Sequence, residues 1–178
     1  MTATVSKTPT PAGLPSGTLH RILDEGYGPG AWYGSDLRAA IAEVTPATAF
    51  VRPIATPTRT VRASGAPAER RHNIAEVALH HAYWVGQIER KLTGAAGSAF
   101  PLVGEDWFDL DDESRLTWTA ITSLVDASHQ RLSRAVGEIA SGARTSPLPE
   151  AERFDLVIGI TGHAAYHAGQ IQLIKKLI

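Results

Sequence analysis

The chain has 178 residues, 43% of them hydrophobic, which is enough for one domain with a substantial core, and none is cysteine. The 17 Lys and Arg residues nearly balance the 18 Asp and Glu, for a formal net charge of -1. This composition excludes disulfides, thiolate metal sites and cysteine nucleophiles, and offers no cationic excess to favour nucleic acid or an anionic membrane.

Residues 1–17, "MTATVSKTPTPAGLPSG", mix Pro, Thr, Ser and Gly without an apolar run. They read as a loose tail, neither a secretory leader nor a membrane span, and the protein is expected to be cytoplasmic. A single domain is expected over residues 18–178. It opens with a short helical turn over 18–25, followed by a glycine-rich bend that carries Trp32 and Tyr33. In "SDLRAAIAEV", Ser35 is the expected N-cap and Asp36 suits the positive helix start, while Leu37, Ile41 and Val44 share a face; this predicts a helix ending near Thr45-Pro46. Residues 46–72 contain Pro46, Pro53, Pro57 and Pro67. A proline inside a helix deletes a donor and clashes with the preceding turn, so this stretch is expected to be a long connection.

From Asn73 to about Thr93, Ile74, Val77, Ala78, Val85, Ile88 and Leu92 recur at helical spacing, predicting a second long helix with one buried stripe. "GAAGSAFPLVGEDWFDL" is then a loop whose Trp107 and Phe108 need somewhere to pack. A third helix is expected from roughly Asp112, its "DLDDE" cluster suited to a helix start, through Trp118, Ile121, Val125, Leu132, Val136 and Ile139. The last helix starts near Pro149 or Glu150 and carries Val157, Ile160, Ala164, Ile171, Ile174 and Ile178 on one face, with Lys175 and Lys176 near its negative end. Four principal helices and no convincing strand predict an all-α bundle.

Within the last helix, "GHAAYHAGQI" places His163 and His167 four residues apart. Four residues turn an α-helix by about 400°, so the two imidazoles project from one side, one turn apart. Measured from Ile160 on the apolar stripe, they lie about 60° and 20° to one side and face the interior or its rim. Two adjacent imidazoles in a low-dielectric setting need compensating partners, which a divalent cation supplies; paired core histidines are the competing reading. A zinc-type site usually takes a third protein ligand, and this helix has no "HExxH" glutamate. "ALHHAYW" in the second helix is the source at hand. Periodicity puts His81 on the apolar stripe and His80 about 100° round from it, while a histidine at the stripe's edge beside Trp84 and Gln87 could point into a cleft, so spacing leaves the choice open. His129 lies near the buried side of the third helix and reads as structural. His20 and His72, in or near loops, read as solvated.

"ALHHAYW", "FPLVGEDWF", "SHQRL" and "HAAYHAGQIQLIKKL", in that order, resemble the DinB superfamily of four-helix-bundle metalloproteins, whose relatives include YfiT-like hydrolases and thiol S-transferases. The resemblance spans about residues 20–178. It implies a four-helix bundle with long crossover loops, and a divalent metal, usually zinc or nickel, held by one histidine of the second helix and two of the last. Matched residue by residue, these are His80, His163 and His167, with His81 at a position that is normally apolar. At "GAWYGSDL" close relatives often read Trp-His-Gly where this chain has Tyr33. Homodimers are common among the relatives.

Three neutral imidazoles leave a divalent ion its full charge and at least one open position, as in catalytic zinc sites. Water there would ionise near neutral pH and attack an ester, amide or related carbon. A thiol there would ionise and act as the nucleophile, and in a chain without cysteine it would have to be a low-molecular-weight cosubstrate. The expected function is therefore a metal-dependent hydrolase or thiol S-transferase acting on a small molecule, with an isomerase using a thiol cofactor as a variant. Trp32, Tyr33 and Trp107 are candidate pocket walls. Gln170 is placed to orient a ligand or water, against the competing reading of a plain helix-surface glutamine. Glu76, one turn before His80, is the best-placed carboxylate for a general base. The alternative is a non-catalytic stress-response or sensor module in which the metal stabilises the bundle or reports metal or thiol level.

Overall fold

The computed structural model describes residues 17–53, 71–97, 99–104 and 106–178. The expected tail therefore lies outside the described residues except for Gly17, as do residues 54–70 of the expected proline-rich connection. Among the described residues the chain is all-helical, with six helices and no strand. These are α1 (Thr18–Tyr27), α2 (Leu37–Ala42), α3 (Pro46–Ala49), α4 (Ile74–Thr93), α5 (Trp118–Ala140) and α6 (Glu150–Lys175). No helix of the described residues is long and apolar enough to cross a membrane.

Local chemistry explains the boundaries. α2 is capped by Asp36 rather than by Ser35: the Asp36 carboxylate accepts from Ala39 N at 2.8 Å. The helix ends at Ala42, and the expected breaker Pro46 instead starts α3, where a proline at the first position loses no intrahelical hydrogen bond. α4 runs from its Asn73 cap, whose side chain accepts from Glu76 N at 2.9 Å, to Gly94, which takes a left-handed conformation (φ 68°) open to glycine.

α5 begins at Trp118, later than the acidic cluster suggested. Thr117 is the N-cap, accepting from Ala120 N, and the acids lie in the turn before it. Asp112 accepts from Ser114 N at 2.8 Å and so stabilises a turn, while Glu113 accepts from Trp118 N at 2.9 Å and so satisfies the first N–H of α5. In α6 the expected inward face is buried through Ile174, but Ile178 follows the helix and is exposed.

α4 packs along α5 and α6, α1 along α6 and α5, and α2 against α6. The core divides in two. One cluster gathers Tyr27, Leu37, Ile74, Leu79, Leu110, Ile121 and Ile171; the other gathers Leu23, Val85, Leu92, Leu132, Val157 and Ile160. Polar residues interrupt the apolar pattern on four helices: Asp24 on α1, His80 and His81 on α4, Ser128 and His129 on α5, and His163 on α6. At α1 and α6 the backbones approach closely. A Cβ on Gly26 would come within 3.1 Å of Thr161 and 3.3 Å of Ala164, so only glycine fits there without a shift.

Candidate metal centre

α4 and α6 pack together and bring their histidines into contact. His163 Nε2 lies 3.3 Å from His80 Nε2 and 3.0 Å from His167 Nε2. The ligand atoms of these three residues all fall within 4.8 Å of one another, close enough to hold one metal ion. An ion bonded tetrahedrally to two nitrogens at about 2.0–2.1 Å holds them about 3.3 Å apart, close to the spacing seen here.

The outer nitrogens decide which way the lone pairs face. His80 Nδ1 is 2.8 Å from the carbonyl oxygen of Asp106, and a carbonyl only accepts, so Nδ1 carries the proton and Nε2 presents its lone pair inward. His167 Nδ1 likewise donates to Gln170 Oε1 at 2.6 Å, one turn along α6. His163 Nδ1 meets His81 Nδ1 at 3.1 Å. Each member of the trio thus has its second nitrogen held by a polar partner, the arrangement typical of metal-binding imidazoles. All-nitrogen donors of this kind suit a borderline divalent ion.

Burial keeps the rings neutral, the form a metal requires. Burial, followed by the neighbouring imidazoles His167 and His80, pushes His163 down to about 3. Burial takes His167 down to about 4, against the opposing pull of its hydrogen bond to Gln170. His80 is lowered by burial and partly restored by the Asp106 carbonyl. His81, only 2% exposed, is held well below the usual imidazole range by burial and then by its histidine neighbours.

The loop after α4 forms one wall. Trp107 is sandwiched between His72 and His80, with ring centroids 3.7 Å from the first and 3.8 Å from the second and interplanar angles of 12° and 9°. It remains 36% exposed. The loop is fixed by its buried Phe108 and Leu110 and by a clasp beneath them. Asn73 Nδ2 donates to the Leu110 carbonyl at 2.6 Å, and Leu110 N donates to Glu76 at 2.9 Å. Arg52 pairs with both carboxylate oxygens of Glu76 and with Asp111.

Comparison with family models, with curated proteins and with solved structures finds no match.

The remaining expected residues fall as follows. Glu76 is 1% exposed and its carboxylate is held by Arg52, Leu110 N and His72, so the structure does not bring it to the three Nε2 atoms. Burial alone would raise its pKa, but these partners outweigh it and hold the carboxyl below the usual range. Gln170 sits in the cluster as the partner of His167. Trp32 is 93% exposed, and Tyr33 donates its hydroxyl to the Glu25 carbonyl at 2.7 Å; among the described residues no ring contact joins either to the histidines. His72 is not merely solvated: its Nδ1 donates to the Glu76 carboxylate at 3.0 Å and its ring stacks on Trp107. His20 meets Ser133 Oγ at 2.6 Å. His129 is buried against Tyr27 and lies 3.1 Å from Asp24, a structural role.

The Asp106 carbonyl, the His72–Trp107–His80 stack and the His81–His163 contact were not foreseen. The doublet "HH" carried a signal for the last of these, because neighbouring residues on a helix diverge by about 100°, and here His80 and His81 meet opposite nitrogens of the His163 ring.

Proposed function

We propose that the chain is a divalent-metal-dependent enzyme of the DinB/YfiT-like type, a hydrolase or a low-molecular-weight-thiol S-transferase acting on a small molecule. The observation that carries this reading is the convergence of three imidazole Nε2 atoms, each ring anchored through its other nitrogen. A four-helix bundle made of α1, α4, α5 and α6 is supported by the closed ring of packed pairs: α1 with α6, α6 with α4, α4 with α5 and α5 with α1.

His80, His163 and His167 would hold the ion, zinc or nickel by donor type. When bound, it supplies Lewis acidity that favours the ionised form of a water or thiol in its open position. The chain's own residues do the rest. Asp106 O and Gln170 Oε1 hold the His80 and His167 rings in the tautomer whose lone pairs face the centre. The Trp107 indole, its faces covered by His72 and His80 and 36% exposed, presents an apolar edge beside the cluster against which a substrate group can pack.

The test is elemental analysis of protein purified without a histidine tag, together with His80→Ala, His163→Ala and His167→Ala, followed by turnover screens with electrophiles in the presence and absence of small thiols. One metal per chain that each substitution removes without unfolding the protein is the expected result. Thiol-dependent turnover identifies a transferase, and thiol-independent turnover a hydrolase. Stoichiometric metal without turnover would favour the non-catalytic module, and unchanged metal content in the three variants would end the reading.

A further inference from the structure

We infer that His81 is a positioning residue for the metal centre: its Nδ1 accepts the hydrogen bond from His163 Nδ1 and so fixes the tautomer in which His163 Nε2 turns a lone pair towards His80 and His167. The inference rests on reading the cluster as a metal site.

The two Nδ1 atoms lie 3.1 Å apart, so one proton is shared between them and one ring must accept. If His81 donates, the proton of neutral His163 sits on Nε2, pointed at His80 Nε2 and His167 Nε2 at 3.3 and 3.0 Å, where it blocks coordination. If His163 donates, three lone pairs converge. Only the second arrangement is compatible with an ion, and it requires His81 to carry its own proton on Nε2.

His81 differs from the other two partners in kind. Asp106 supplies a backbone carbonyl and Gln170 an amide oxygen, both acceptors whose identity does not change. His81 can accept or donate at the same atom. It is also 2% exposed on α4, one residue from His80, so the contact to His163 Nδ1 comes from a side chain screened from bulk water. Adjacent histidines on one helix turn thereby divide the work: His80 faces the centre, and His81 faces the back of the ring across from it.

The experiment measures zinc affinity by chelator competition in the full chain, wild type against His81→Leu and His81→Asn. Long-range 15N–1H spectra of the zinc-loaded wild type report the imidazole tautomers. His81→Leu, which leaves the His163 Nδ1–H without an acceptor, is expected to weaken zinc binding about 10- to 100-fold. His81→Asn, with an oxygen near the Nδ1 position, is expected to recover most of that loss. The spectra are expected to show His81 protonated on Nε2 and unprotonated on Nδ1. Equal affinity of His81→Leu and wild type, or a proton on His81 Nδ1 in the zinc form, would overturn the inference. Should His81→Leu fail to fold, the spectra of the wild type decide alone. Failure of the underlying metal reading looks different: wild type itself takes up no stoichiometric zinc, and the inference falls with it.

Discussion

Replacing Glu76 tests whether its carboxylate clasps the Trp107 loop to α4 or belongs to the chemistry. Glu76→Ala removes the partner of Arg52 and His72 and leaves the Leu110 N–H without its acceptor in a buried setting. Removing one member of a buried ion pair costs about 3–5 kcal/mol, and an unpaired buried donor about 1–3 kcal/mol. Arg52 keeps Asp111 and the carbonyls of Leu110 and Arg71, which offset part of the loss and place the expected destabilisation near the lower end, about 3 kcal/mol. For a chain of this length that lowers Tm by about 6–12 °C. Glu76→Gln, which keeps an oxygen for Leu110 N, is expected to lose about half as much. Urea unfolding of the metal-free protein reads the stability, and zinc titration of the folded variants reads the centre. A loss under about 1 kcal/mol for Glu76→Ala would refute the clasp. Abolished zinc binding in a folded Glu76→Gln protein would place the carboxylate in the metal centre, against the observed geometry.

Three further outcomes follow from the same contacts. Gln170→Leu deprives His167 Nδ1 of its acceptor and is expected to weaken zinc binding about 10- to 100-fold in chelator competition, while Gln170→Glu preserves it. Trp107→Ala removes both aromatic stacks and is expected to destabilise by about 1–3 kcal/mol in urea unfolding, with Trp107→Phe intermediate. The folded chain keeps His163 and His167 neutral down to about 3 and 4, whereas the unfolded chain protonates them near 6.5. Below pH 6.5 the unfolded state therefore binds more protons, and the metal-free protein loses about 1.4 kcal/mol per pH unit for each such imidazole as pH falls. The loss levels off for His167 near 4 and for His163 near 3. Urea midpoints measured at pH 7, 6 and 5 check this; identical midpoints would contradict it.

Much of the helical pattern was legible in the sequence. Asn73 and Gly94 bound α4 for reasons of capping that single residues announce, and the start of α6 at Glu150 follows its prolines. The acidic run lies before α5 rather than in its first turn, because an acidic run suits a turn and a helix N-terminus equally: Asp112 satisfies a turn N–H, while Glu113 reaches forward to the first N–H of the helix, at Trp118. His163 and His167 were legible as a pair from spacing alone. The choice between His80 and His81 was not, because periodicity assumes one buried stripe. α4 is covered on more than one side, by α5, by α6 and by the docked loop around Trp107, so both histidines are buried and both contact His163. Where a loop without regular structure lays its backbone carbonyl is invisible to periodicity, and the Asp106 contact to His80 depends on that placement.

The clasped loop also sets a time order. The trio joins residues 83 positions apart in sequence, and His80 is oriented by a carbonyl 26 residues downstream. Helices form from local contacts, but contacts between distant residues wait for loop closure. During refolding α4 and α6 can therefore become helical while their nitrogens are still dispersed. The three imidazoles converge only when α6 has docked and the Trp107 segment has closed over His80. Convergence of the three imidazoles is thus expected late in folding, with a rate set by the arrival of long-range order rather than of secondary structure.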